Sequence, residues 1–251
     1  MDEQRREFAR HLDAIDVKVV ELFATVCEDL PGVTEALLSG SDEVAGQLAE
    51  RDQAIDALYR EIEQLVCREI LLQAPVAADM RYLLTVLRIA PELERCHDLE
   101  CQIASGAGHL LAEELSSRCR GLVERMGELA RDMWRRAADC WYERDGSAAS
   151  VLAKINDEMD ELHTSLVAEL ASGRMSSPVT IEMALVARFY ERLGDHAVNV
   201  ARRVGYLAGP RATRTAEELR AAPRLATCHD ALGRRSCARG LPRCPTGAPA
   251  G

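Results

Sequence analysis

Phe189-Tyr190-Glu191-Arg192-Leu193-Gly194-Asp195-His196-Ala197 lies midway in a helical pattern that runs unbroken from about Pro178 to Leu207. Glu191 and Asp195 are four residues apart, so on a helix their carboxylates stack on one face. Ninety-seven residues earlier the chain reads Leu93-Glu94-Arg95-Cys96-His97-Asp98-Leu99, with Glu94 and Asp98 at the same spacing and an Arg again directly after the Glu. An acidic pair that recurs in this setting indicates a duplicated protein with one anionic site in each half.

The surrounding sequence reads as helix throughout. Phe8, Leu12, Ile15, Val19, Leu22 and Val26 set a first helix over about 3–29, which Leu30-Pro31-Gly32 should break before a short helix to Leu38. A second helix, over about 42–73, carries Leu48, Ile55, Leu58, Ile62, Leu65 and Val66 on its apolar stripe, with Ser41 or Asp42 as its cap. Pro75 suits the first turn of a third, running to about Gly108, and Pro91 should kink it just before the first acidic pair. Helices over 117–146, 148–172 and 178–207 follow, the last with a serine cap at Ser176-Ser177. The expected fold is all-α: two tandem three-helix bundles, residues 1–112 and 113–209, and a disordered basic tail over 210–251 that holds eight Arg and five of the nine prolines.

Small residues line the last helix at Ala184, Ala187, Gly194, Ala201, Gly205 and Ala208, and the third helix at Ala90, Ala104 and Gly108. These two helices should therefore be central, packed on both sides, with their carboxylates within reach of a neighbour. Asp52 and Asp56 flank the stripe of the second helix at a further four-residue spacing. Asn156 and Asp160 take the equivalent places on the fifth.

Two converging helices of this kind crowd three or four carboxylates together, a cost that protonation, Arg or a metal cation must offset. The set suits hard, oxygen-preferring cations. Site one is Asp52, Asp56, Glu94 and Asp98; site two is Asp160, Glu191 and Asp195, with Asn156 supplying only a neutral oxygen and Asp157 or His196 as possible helpers. Arg95 and Arg192 are placed to neutralise charge nearby, and His97 to add to site one. Any one such pair, taken alone, reads as a solvated helix face; recurrence in both halves favours the metal. His196 falls on the apolar face and reads as a core histidine. Glu94–His97 matches the ExxH spacing of di-iron bundles, but the counterpart, Glu191–Gly194, lacks the histidine.

Composition narrows the function classes. Net charge is −10, and with the tail at +5 the body is more acidic still, which argues against nucleic acid as a ligand. No apolar run is long enough to span a membrane, and the N-terminus leads into an amphipathic helix, so a cytoplasmic protein is expected. Nine scattered cysteines without CxxC spacing read as thiols. No phosphate loop or nucleophile–base pattern suggests an enzyme.

Two segments resemble the signatures of a known family, the PhoU proteins: Gln73-x-Pro75-Val76-Ala77-x-Asp79-Met80-Arg81, and Ala184 through Ala197 in the style of actinobacterial members. The resemblance spans about residues 1–209. It implies a cytoplasmic, non-enzymatic accessory protein that represses the phosphate-starvation response. Such a protein bridges a Pst-type phosphate ABC transporter ATPase and a membrane sensor histidine kinase, and meets the membrane only through these partners. A homodimer is expected. The resemblance also implies multinuclear metal sites (iron, manganese, magnesium or zinc) on Asp52, Asp56, Glu94, Asp98, Asp160, Glu191 and Asp195. The chain departs from the family pattern at Pro91, and at His97 and Glu100, where a small residue and Ala are usual. A carboxylate-bridged di-metal redox protein of the ferritin kind is the competing reading.

Overall fold

Helix α1 (Asp2–Ser39) is continuous, and the break expected at Leu30-Pro31-Gly32 does not occur. Pro31 forfeits one backbone hydrogen bond. Its neighbours Leu30, Val33 and Leu37 are fully buried, and burial of that order outweighs one lost bond. In the computed structural model, residues 2–106 and 113–208 are described. The expected tail, Gly108 and the join between the two expected halves lie outside these residues.

The remaining elements are α2 (Asp42–Gln73), α3 (Ala77–Ser105), α4 (Ser117–Glu143), α5 (Ala148–Leu170) and α6 (Ser177–Ala208), with no strand among the described residues. Ser41 caps α2 by accepting from the Glu43 amide. Pro75 falls outside α3, which starts two residues later from Val76. Pro91 sits inside α3 without interrupting it. At the start of α6 the expected serine cap is absent: the Ser176 hydroxyl is buried without a hydrogen-bond partner among the described residues.

Helices α1, α2 and α3 pack on one another, as do α4, α5 and α6. The two sets meet through α1 against α4 and α3 against α6, so four helices are central and α2 and α5 flank them. One core runs through both sets, within a compact unit over residues 1–210. The inner face of α6 is Met183, Val186, Ala187, Tyr190, Leu193, Ala197, Val200, Ala201 and Val204, whereas Leu185 is 46% exposed.

Side chains fasten α1 to α4 and α3. Phe23 packs on Trp134 and Trp141, and Tyr82 on Trp141. The Arg144 guanidinium lies 3.9 Å from the Trp141 ring centroid and 2.6 Å from Asp16, which also accepts from the Tyr82 hydroxyl. Gly127 lets α4 approach α1: a Cβ there would lie 2.3 Å from Thr34 Oγ1. Thr34 in turn shares a 2.8 Å hydrogen bond with Tyr190 of α6.

Candidate metal centres

Helices α2 and α3 lie side by side, held by Leu48, Ile55 and Ile62 on one and Leu93, Cys96 and Leu99 on the other. Asp52 and Asp56 flank Ile55, and Glu94 and Asp98 flank Cys96. These four carboxylates are near enough to influence one another's charge, although no three of them place oxygens within 4.8 Å of one another. Partial burial raises the Glu94 carboxyl above its ordinary range, and Asp98, Asp56 and Asp52 add to the rise. Asp98 is raised likewise, by burial and then by Asp52 and Asp56. Arg95 opposes both shifts weakly from an exposed position. Arg60, which the sequence reading passed over, pairs with Asp56 at 2.5 Å.

The second site repeats this between α5 and α6. Burial raises the Asp160 carboxyl, and Asp195, Glu191 and Asp157 reinforce it. Asn156 meets the site through its nitrogen rather than its oxygen: the amide nitrogen donates to Asp195 Oδ1 at 3.2 Å, and the carbonyl oxygen fills the space a Cβ on Gly194 would need. Glu191 is paired by Arg188, one turn earlier on the same face, whereas Arg192 is exposed. His163 Nε2 lies 3.8 Å from Glu191. Neither Arg188 nor His163 was singled out from the sequence, although Arg188 stands three residues before Glu191 and was legible as an i,i+3 pair.

His196 does not serve site two. Its Nδ1 is 2.5 Å from Glu92 Oε2, across the α3–α6 contact. Burial on its own would raise the Glu92 carboxyl. The hydrogen bond and charge of His196, with Asn199 and Arg95, outweigh that and hold it low. His97 is buried beneath site one, with Nε2 4.0 Å from Asp52 Oδ1 and 3.4 Å from Cys101 Sγ.

Both sites thus offer neighbouring carboxylate oxygens, a donor type that fits hard cations, with Glu94, Asp98 and Asp160 raised by the acids around them. Each has one imidazole nearby. Among the described residues no helix is long and apolar enough to cross a membrane.

A protein-family model, the PhoU domain, matches the chain twice, over residues 19–107 and 123–204. Among curated proteins the chain is similar to the phosphate-specific transport system accessory protein PhoU homolog of Zymomonas mobilis. The two are 33% identical over 215 residues, covering 80% of this chain and 90% of that protein. The Synechocystis homolog is 31% identical, with 81% and 92% covered. Among solved structures, PhoU from Pseudomonas aeruginosa superposes with a TM-score of 0.74 at 25% identity, covering 80% of this chain and 98% of that one. The phosphate transport system regulatory protein PhoU from Streptococcus pneumoniae gives 0.71 at 24%, with 80% and 96% covered, and supports the fold.

Proposed function

The chain belongs to the PhoU family, and from that premise we propose that it is a non-catalytic accessory protein of a phosphate-specific transport system, acting as a negative regulator of the phosphate-starvation response. It couples a Pst-type transporter ATPase to a sensor histidine kinase by contact, from the cytoplasm and as a homodimer. The observation that carries this reading is the doubled match to the PhoU domain, on a chain that covers nine-tenths of relatives named as phosphate-transport accessory proteins. A protein of this kind works by differential contact: it favours one state of its partner over another, and the free energy of that preference is the signal.

Metal ions belong to the same proposal. Asp52, Asp56, Glu94 and Asp98 would hold one centre; Asp160, Glu191 and Asp195 would hold the other. What supports this is that neighbouring carboxylates help raise Glu94 and Asp98 at the first place and Asp160 at the second. Bound ions would stiffen α2 against α3 and α5 against α6 and reverse the local charge that a partner meets. The ferritin-like redox alternative needs imidazole ligands on two helices at one site; His97 and His163 stand at different sites.

Deleting the gene is expected to switch on phosphate-starvation genes in phosphate-rich medium, read by a reporter, with complementation by the intact chain. An unchanged reporter removes the regulatory reading. Complementation by a chain carrying Glu94→Gln and Asp98→Asn at full strength would detach metal from the regulation.

A further inference from the structure

We propose that the first three helices hold a second, buried metal site, in which Asp29, His97 and Glu100 bind one first-row divalent transition-metal ion of the zinc class. The proposal does not rest on the regulatory reading.

His97 Nδ1 lies 3.9 Å from Asp29 Oδ2 and 3.8 Å from Glu100 Oε2, and the three ligand atoms all fall within 4.8 Å of one another. These spacings are too long for hydrogen bonds. They are close to those of donors around one ion: bonds of about 2.0–2.2 Å at tetrahedral angles put ligand atoms about 3.3–3.6 Å apart. The side chains are 9%, 1% and 0% exposed for Asp29, His97 and Glu100. Nδ1, Asp29 Oδ2 and both oxygens of Glu100 have no hydrogen-bond partner among the described residues. Buried polar groups ordinarily find partners, and four orphaned atoms around one point are what an ion between them would satisfy.

Protonation alone does not resolve the arrangement. As the side chains stand, a neutral Glu100 would have its closest acceptor, His97 Nδ1, at 3.8 Å, beyond hydrogen-bond distance, and an imidazolium would bring a second unmatched N–H. A dication satisfies all three groups and matches the charge of the two carboxylates.

The outer edges of the donors are already anchored. Asp29 Oδ1 is held by Arg51 at 2.6 Å, which leaves Oδ2 turned inward. The imidazole Nε2 contacts Cys101 Sγ at 3.4 Å, while Nδ1 remains bare. Outer contacts of this kind fix ligand orientation in metal sites. The ring is also the wall between two sites, since Nε2 faces Asp52 of the surface set and Nδ1 faces the interior. The second repeat provides an internal control. The positions 97 residues after His97 and Glu100 are Gly194 and Ala197, which have no donor atoms, and Asn156 closes over Gly194. The inference is therefore confined to one half, at one ion per chain.

The test uses the full chain with both surface sets disabled by Asp56→Asn, Glu94→Gln, Asp98→Asn, Asp160→Asn and Glu191→Gln. These changes remove mutual repulsion, and circular dichroism checks the fold. Titration with Co²⁺ is expected to give one equivalent with the intense visible absorption of a four-coordinate ion, displaced by Zn²⁺. Adding Glu100→Gln or His97→Gln should weaken binding by more than the ~10–100-fold that loss of an outer contact costs. Cys101→Ser should leave both affinity and spectrum in place. The proposal is overturned if the folded background chain binds no Co²⁺, or if Glu100→Gln leaves binding unchanged. It is also overturned if a thiolate-to-cobalt band appears and vanishes with Cys101→Ser, which would put the ion on the Nε2 side. The surface sets fail separately: there the sign is a parent chain that binds no more metal than the background chain.

Discussion

Asp98 shows how one crowded carboxylate costs stability. Its carboxyl, with those of Glu94 and Asp160, is raised by burial and by the acids around it. A carboxyl raised on folding binds its proton more tightly in the folded chain. The metal-free protein thus carries the full penalty above the raised folded-state value, and recovers as pH falls to the unfolded-state value of about 4. Asp98→Asn should therefore raise the melting temperature of chelator-treated protein at pH 7, with the gain shrinking toward pH 4, and should weaken metal binding. A variant less stable than its parent at pH 7 would contradict the crowding. Across the middle of the molecule the sign is opposite, because the hydrogen bond from His196 holds the Glu92 carboxyl low. Glu92→Ala leaves His196 without its partner, and should cost about 3 kcal/mol in denaturant unfolding, the lower end of the range for a broken buried pair.

At the scale of elements, the helices are set by how near they approach. Gly127 and Gly121 lie on the same helix with opposite expectations. A Cβ at Gly127 would meet Thr34 atoms at 2.3–3.0 Å, and Thr34 is tied to Tyr190. Gly127→Ala should destabilise by about 1–3 kcal/mol, the usual cost of overpacking. Gly121 has nothing within 4 Å. Gly121→Ala should stabilise by about 0.5–1 kcal/mol through helix propensity alone. Thermal melts of the two variants check both signs. The same scale explains Pro31: local propensity called for a break, and the buried face of α1 overrode it.

For the molecule as a whole, the two helix triplets share one core and are bound by Phe23, Tyr82, Trp134, Trp141 and Arg144. Unfolding of the metal-free chain should accordingly be a single transition, coincident by far-ultraviolet circular dichroism and by tryptophan fluorescence. Two separated transitions would show that the halves are energetically independent. Saturating metal should add stability through linkage, about 2.7 kcal/mol when free ion is a hundredfold above its dissociation constant. Chelator should reverse that gain.

Periodicity and recurrence were enough to read the helices, the duplication and the acidic pairs that share one helix face, because spacing along one helix fixes which side chains share a face. The family was legible too, in the segments around Asp79 and Glu191. Position across helices was not legible. That Arg188 and His163 attend Glu191, that His196 turns to Glu92, and that Asn156 closes over Gly194 depend on distances between elements, which no spacing encodes. The meeting of Asp29 with His97 and Glu100 is of the same kind: residues far apart in the chain, on helices whose rotation about their axes is decided only when the core packs.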